Sequence, residues 1–240
     1  MTVIAFEGNI GVGKSTFLAY MKKNVTHLHG RKVIYIEEPV QLWQNLKGVD
    51  MLAQFYEDQT KYAFEFQMLA TITRIKLLQE SIQQNKNAVF IIERCYLSDN
   101  HIFTKMMFEQ QKLTPQQYAI IQMWFSYIQI KIDYVVYLRA NPKICYERCL
   151  KRDRSGETVS LDYIEACHSI HESWMYNLPN KIVLNCDHTL SNYQYECHIE
   201  TILLKVDLYS KTLMWMYVGF IWFYILFCHL FINLKSQLVV

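Results

Sequence analysis

The chain has 240 residues, 52% apolar and 19% charged, with a formal net charge of +2. That length and composition suit a globular domain with a full core and exclude a disordered chain. A balance so near neutral excludes wrapping of nucleic acid through overall charge, and no nucleic-acid partner is expected.

In chain order, the first predicted element is a strand, Val3–Glu7. No basic stretch precedes it and its apolar run is too short for a secretory leader, so a cytoplasmic protein is expected. Gly8-Asn9-Ile10-Gly11-Val12-Gly13-Lys14-Ser15-Thr16 follows at once and fits G-x-x-x-x-G-K-[ST] without a mismatch. Three of the seven glycines fall within these nine residues. They let the backbone curl into a nest whose N–H groups face phosphate oxygens, ahead of a helix over Ser15–Val25. Lys14 is expected on the β- and γ-phosphates of a nucleotide, and the Ser15 hydroxyl on Mg²⁺; the loop alone leaves an NTPase, a GTPase or a small-molecule kinase open.

The apolar strand pattern returns at Lys32–Glu37, Ala88–Glu93, Asp133–Leu138 and Lys181–Cys186. Between these runs, Asp58–Gln84, Pro115–Ile132 and Pro142–Arg152 read as helices. Runs that are apolar on nearly every residue suit parallel strands covered on both faces. The alternation predicts a doubly wound α/β domain with a five-stranded parallel sheet flanked by helices. Ligands of such sheets lie outside the carboxyl ends of the strands, where Glu7, Glu37, Glu38 and Glu93 stand. Seven cysteines follow no disulfide or zinc framework; Cys145 and Cys149 would share a helix face, and reduced thiols are the expectation.

From Leu213 to Ile232 there is no Asp, Glu, Lys or Arg. About twenty helical residues at about 1.5 Å each span a bilayer core of about 30 Å. Trp215 and Tyr217 would suit its interface. The expected organisation is therefore one α/β domain over 1–210 and a hydrophobic tail, 211–240, acting as a membrane anchor. A buried C-terminal helix is the alternative.

A GTPase would need Asn-Lys-x-Asp, which is absent. Instead the chain carries Glu38-Pro39-Val40 followed by Trp43, and Phe66-Gln67 followed by Arg74. Glu93-Arg94-Cys95-Tyr96-Leu97-Ser98-Asp99 precedes Phe103. Arg148, Arg152 and Arg154 come next, then Glu157, Tyr163 and His171-Glu172-Ser173-Trp174. In this order, from about Val3 to Asp187, the chain resembles the deoxyribonucleoside kinase family. Cys95 stands where the family pattern has Ser, and the tail beyond about Ser210 has no counterpart in it.

The resemblance implies a P-loop kinase fold with an Arg-rich lid over about 148–163. It implies a homodimer, with Gln117–Ile132 in the interface, that uses ATP and Mg²⁺ to phosphorylate the 5′-hydroxyl of a deoxyribonucleoside. Glu38 would be the base, Arg94 would keep it ionised, and Glu93 would join Ser15 at Mg²⁺. Lys14, Arg152 and Arg154 would surround the moving phosphoryl group, with Arg148 and Arg152 on ATP. Trp43, Leu52, Phe66 and Phe103 would wall the nucleoside, Tyr56 and Glu157 would contact sugar hydroxyls, and Gln67 would read the base. Ala70, Arg74 and Asp99 would set base identity, since the charged pair goes with cytosine or purines rather than thymine. A nucleoside monophosphate kinase and a non-catalytic, membrane-tethered nucleotide-binding protein are the alternatives. The former usually has Asp-Arg after the third strand, where this chain has Glu93-Arg94.

Overall fold

The computed structural model describes residues 1–154 and 158–206. β1 (Thr2–Gly8) leads through the glycine loop into α1 (Lys14–Asn24), and a hairpin of β2 (His27–Leu28) and β3 (Arg31–Ile36) follows. α2 (Val40–Gln44), α3 (Met51–Glu57) and the long α4 (Gln59–Gln84) lead back to β4 (Val89–Glu93). Next come α5 (Tyr96–Ser98), a π-helical turn over Asp99–Thr104, α6 (Lys105–Glu109) and α7 (Pro115–Tyr127). β5 (Tyr134–Arg139), α8 (Pro142–Arg152), α9 (Leu161–Tyr176) and β6 (Lys181–Asn185) complete the series. Local chemistry sets the helix starts. The Asp50, Asp58 and Asn141 side chains cap α3, α4 and α8, and Thr114 and Gln117 form a capping box on α7.

The sheet order is β2-β3-β4-β1-β5-β6, with five strands parallel and β2 antiparallel to β3 at the edge. The five predicted strands are all present, but the predicted sheet was one strand short. His29 and Gly30 both have positive φ, at 52° and 71°, which makes a tight two-residue turn and folds two extra residues back onto β3. α7 also stops earlier than Ile132, because Ile128 is extended and the chain turns there toward β5. Ile130 and Ile132 pack against the core beside β4 instead. The stretch 148–163 is not a single loop: it holds the last turn of α8 and the first residues of α9, and 155–157 lie outside the described residues.

β1 and β4 are buried along nearly their whole length, since helices cover both faces. Their carboxyl ends are neighbours, Phe6 pairing with Glu93, so topology delivers the glycine loop and Glu93 to one place. A second core of Trp43, Leu52, Phe55, Phe66 and Ala70 joins α2, α3 and α4 beyond the end of β3.

The chain divides into compact units at 1–196 and 197–240, earlier than the boundary near 210 expected from composition. In the second unit residues 197–206 are helical. The predicted membrane segment, Leu213–Ile232, lies outside the described residues. Among the described residues no helix is long and apolar enough to cross a membrane.

Candidate active site

The loop after β1 is built for close backbone approach. Gly11 has φ +76°, and a Cβ there would lie 2.2 Å from the Cys145 carbonyl oxygen of α8. Gly13, at φ +106°, is the N-cap of α1, and among the described residues nothing stands within 4 Å of its open side. Asn9 Nδ2 donates to the Ile164 carbonyl at 2.8 Å, tying the loop to α9. Lys14 curls over the nest and donates to the Gly8 and Asn9 carbonyls at 3.1 and 2.9 Å. Burial, joined by the charge of Arg94, pushes its ammonium down to about 8.

Ser15 Oγ donates to Glu93 Oε1 at 2.8 Å. A hydroxyl and a carboxylate side by side at a phosphate nest are the hard oxygen donors that Mg²⁺ accepts alongside phosphate oxygens and water. The residues present therefore fit Mg²⁺ carried with a triphosphate. Among the described residues no three His, Cys, Asp or Glu side chains gather into a metal cage, Cys145 and Cys149 included.

The loop opens into a cleft of about 560 Å³ that continues past Glu38, Arg94 and the second core. Lys14, Arg74, Arg94, Arg148, Lys151, Arg152 and Arg154 line it, against Glu38 and Glu93. Such a surplus of cations suits a polyanionic ligand. Arg152 ends α8, and Asp153, at φ 45°, reverses the chain so that Arg154 also faces the cleft. Aspartate is among the few non-glycine residues that take this conformation at low cost.

Glu38 is held from two sides. Arg74 Nη2 donates to its Oε1 at 2.7 Å, and Arg94 Nε is 3.5 Å from the same oxygen. Burial by itself would push the Glu38 carboxyl up, but Arg74, Arg94, Lys14 and Arg154 outweigh it and hold it below its ordinary range. A carboxylate kept ionised at the rim of a phosphate nest can orient a hydroxyl and take its proton.

Beyond Glu38, Arg74 Nε faces both oxygens of Asp99 at 3.2 Å, and its guanidinium lies over the Trp43 ring at 4.9 Å. Burial pushes the Asp99 carboxyl up to about 6 although Arg74 opposes the shift. Trp43, Phe66 and Phe103 line the cleft, with Trp43 meeting Phe66 edge-on at 5.6 Å. Gln67 lies behind that wall, its Nε2 donating to the Asp99 carbonyl at 3.1 Å. Arg74 Nη1 is buried and has no hydrogen-bond partner among the described residues.

The structure brings together in one cleft the loop from Ile10 to Thr16, Glu38, Trp43, Leu52, Tyr56, Phe66, Arg74, Glu93, Arg94, Phe103, Arg148, Arg152 and Arg154. Gly8, Asn9, Gln67, Ala70 and Asp99 are buried and do not line it, and Glu157 lies outside the described residues. Three differences from the sequence reading have physical causes. Glu37 turns away from the site to an exposed ion pair with Lys22 at 3.0 Å, because successive strand residues face opposite sides. Arg148 donates from Nη1 to the Val12 and Cys186 carbonyls at 3.1 and 2.9 Å, so that nitrogen braces the loop. Arg74 makes a closer contact with Glu38 than Arg94 does. Sequence reasoning missed His188, Thr189, Leu190 and Tyr195, which line the cleft beyond β6. Their place just after a strand's carboxyl end was the signal that could have found them.

Residues 4–209 match the family described as deoxynucleoside kinase. Human mitochondrial thymidine kinase 2 is 32% identical over 179 residues, which cover 72% of this chain and 64% of that protein. Mitochondrial deoxyguanosine kinase of Xenopus laevis is 30% identical over 196 residues, 72% of each chain. Deoxycytidine kinase 2 of Gallus gallus is 30% identical over 199 residues, 72% of this chain and 73% of the other. The chain thus spans slightly less than two thirds of the human relative's length.

Proposed function

Because the chain belongs to the deoxynucleoside kinase family, we propose that it transfers the γ-phosphate of ATP to the 5′-hydroxyl of a deoxyribonucleoside. The observation that carries the reading is one cleft joining the Lys14 nest to the Glu38 carboxylate. Loop amides and Lys14 bind and orient the triphosphate. Glu38 orients the acceptor hydroxyl and takes its proton as transfer proceeds. Arg94, Arg152 and Arg154 neutralise charge spreading over the transferred group, and guanidiniums suit that task because they meet two oxygens at once. Mg²⁺, held through Ser15 and Glu93, supplies further charge neutralisation when bound.

The acceptor base is cytosine or a purine in preference to thymine. A base that reaches the buried Arg74–Asp99 pair would find in Asp99 an acceptor for an exocyclic amino group and in Arg74 Nη1, which has no hydrogen-bond partner among the described residues, a donor for a ring nitrogen or carbonyl. Thymine has no amino group to offer, and each group left unmatched costs roughly 1–3 kcal/mol.

The partner we assign to the exposed face of α7 is a second copy of the chain. Ile120, Met123, Trp124 and Tyr127 are 46–77% exposed there, an apolar row that water disfavours. The charge-free run Leu213–Ile232 keeps the anchor role on composition alone. Full-length protein that stays in the supernatant of a detergent-free, high-speed spin would remove that role.

The deciding experiment presents the four deoxyribonucleosides and their monophosphates with Mg²⁺ and ATP. Transfer to deoxycytidine or a deoxypurine is expected. Preference for a monophosphate would reassign the chain to the nucleoside monophosphate kinases. ATP binding without transfer to any acceptor would leave a non-catalytic nucleotide-binding protein.

A further inference from the structure

Arg94 is held in an unusual way. It is a non-glycine residue at φ 61°, the left-handed region that a long side chain rarely takes. Parallel pairing joins Ile36 to Ile92 and Phe6 to Glu93. Extended by one or two residues, that register sets Glu38, Arg94 and Glu7 in one row across β3, β4 and β1. Arg94 is the cation between two carboxylates.

Glu7 is wholly buried. Its Oε1 accepts from the Cys95 amide at 2.8 Å, while the preceding amide, that of Arg94, donates to the Phe6 carbonyl at 2.9 Å. Two neighbouring residues of β1 thus grip two successive N–H groups at the turn. Glu7 Oε2 stands 3.7 Å from Arg94 Nη1, and among the described residues neither atom has a hydrogen-bond partner. On its other side Arg94 reaches Glu38 with Nε at 3.5 Å and lies over the Phe103 ring at 4.9 Å. Burial pushes the Glu7 carboxyl up from its ordinary range and the Arg94 charge opposes that shift, so the ion pair between them favours the ionised form.

We infer that Glu7 is the positioning residue for Arg94: its carboxylate clamps the backbone turn and draws the guanidinium partly off Glu38, toward the phosphoryl path. Without the Glu7 charge, Arg94 collapses onto Glu38 and holds the carboxylate that must receive the hydroxyl proton. Glu7 is also the residue directly before Gly8, so the strand that carries the donor loop fixes the cation of the acceptor side. The inference rests on the function proposed for Arg94 and Glu38.

The test uses full-length Glu7→Gln, Arg94→Gln and the double variant, with Mg²⁺, ATP and the parent's best nucleoside. Glutamine keeps an acceptor for the Cys95 amide, removes the charge and turns an amide NH2 toward Arg94 in place of the second oxygen. Glu7→Gln is expected to lower kcat by about tenfold or more with both KM values within about threefold, and the double variant to be no slower than Arg94→Gln alone. Glu7→Asp, which retains the charge at a shorter reach, should recover part of the loss and is the readout if Glu7→Gln does not fold. An unchanged kcat in Glu7→Gln, or an equal loss when Arg94 is already replaced, overturns the inference while leaving the proposed function standing. Full activity in Arg94→Gln overturns the role given to Arg94, and the inference with it.

Discussion

Arg74 Nη2 lies 2.7 Å from Glu38 Oε1, and the two residues are 36 positions apart in the chain. The same guanidinium faces Asp99 through Nε at 3.2 Å, so a residue expected to set base identity also holds the proposed catalytic carboxylate. A ligand that recruits Arg74 changes the surroundings of Glu38 directly.

Arg74→Leu is expected to destabilise the fold by about 3 kcal/mol or more, because it leaves a buried carboxylate unpaired. Asp99 is only 1% exposed. Replacing Asp99 by Leu in the same chain should recover part of that loss, as the orphaned charge is then gone. Chemical denaturation of the two variants checks the order. A double variant less stable than the single one would contradict the pairing.

Glu38→Gln should lower kcat by about 10²- to 10⁴-fold, the range for a positioned general base, while ATP binding stays near the parent value. In the function proposed, Glu38 meets the acceptor hydroxyl, whereas the loop amides and Lys14 hold the triphosphate. Steady-state kinetics and ATP titration together separate the two effects. A similar loss in ATP affinity would place Glu38 on the donor side.

Lys14 titrates near 8 in the ligand-free enzyme, so its charge falls away as the pH rises through that value. Phosphate oxygens favour the ammonium form, and binding must return the missing proton. Calorimetry of ATP binding at pH 8, in buffers of different ionisation enthalpy, should show uptake of about half a proton by this group, and almost none at pH 6.5. ATP affinity should weaken above pH 8 for the same reason.

Gly11 and Gly30 share a left-handed backbone, at φ +76° and +71°, but not their surroundings. Among the described residues a Cβ on Gly30 meets nothing within 4 Å, whereas one on Gly11 meets the Cys145 carbonyl oxygen at 2.2 Å. Gly30→Ala should cost only the conformational strain, about 1–2 kcal/mol. Gly11→Ala must in addition push the loop away from α8, and is expected to melt lower and to lose ATP binding. Thermal melts with and without ATP compare them.

Tyr127→Glu on α7 should convert a dimer to a monomer in light scattering, since a charge in an apolar contact is desolvated without a partner. Tyr127 is 77% exposed in the single chain, so the fold itself should tolerate the change. An unchanged mass would remove α7 from the interface.

The amino-acid sequence by itself determined the glycine loop, the five parallel strands, the α/β order and the acidic residues at the strand ends. These features are written locally: in apolar runs, in cap and turn residues, and in glycines where a Cβ cannot fit. Only the tertiary structure decided which cation holds Glu38, that Glu37 turns to solvent, and that Arg148 braces the Val12 carbonyl. It also decided that Glu7 lies beneath Arg94 and that Gln67 is engaged with the Asp99 backbone. Those pairings join residues dozens of positions apart. They depend on strand order, register and the loss of water around each charge, and no local pattern records them.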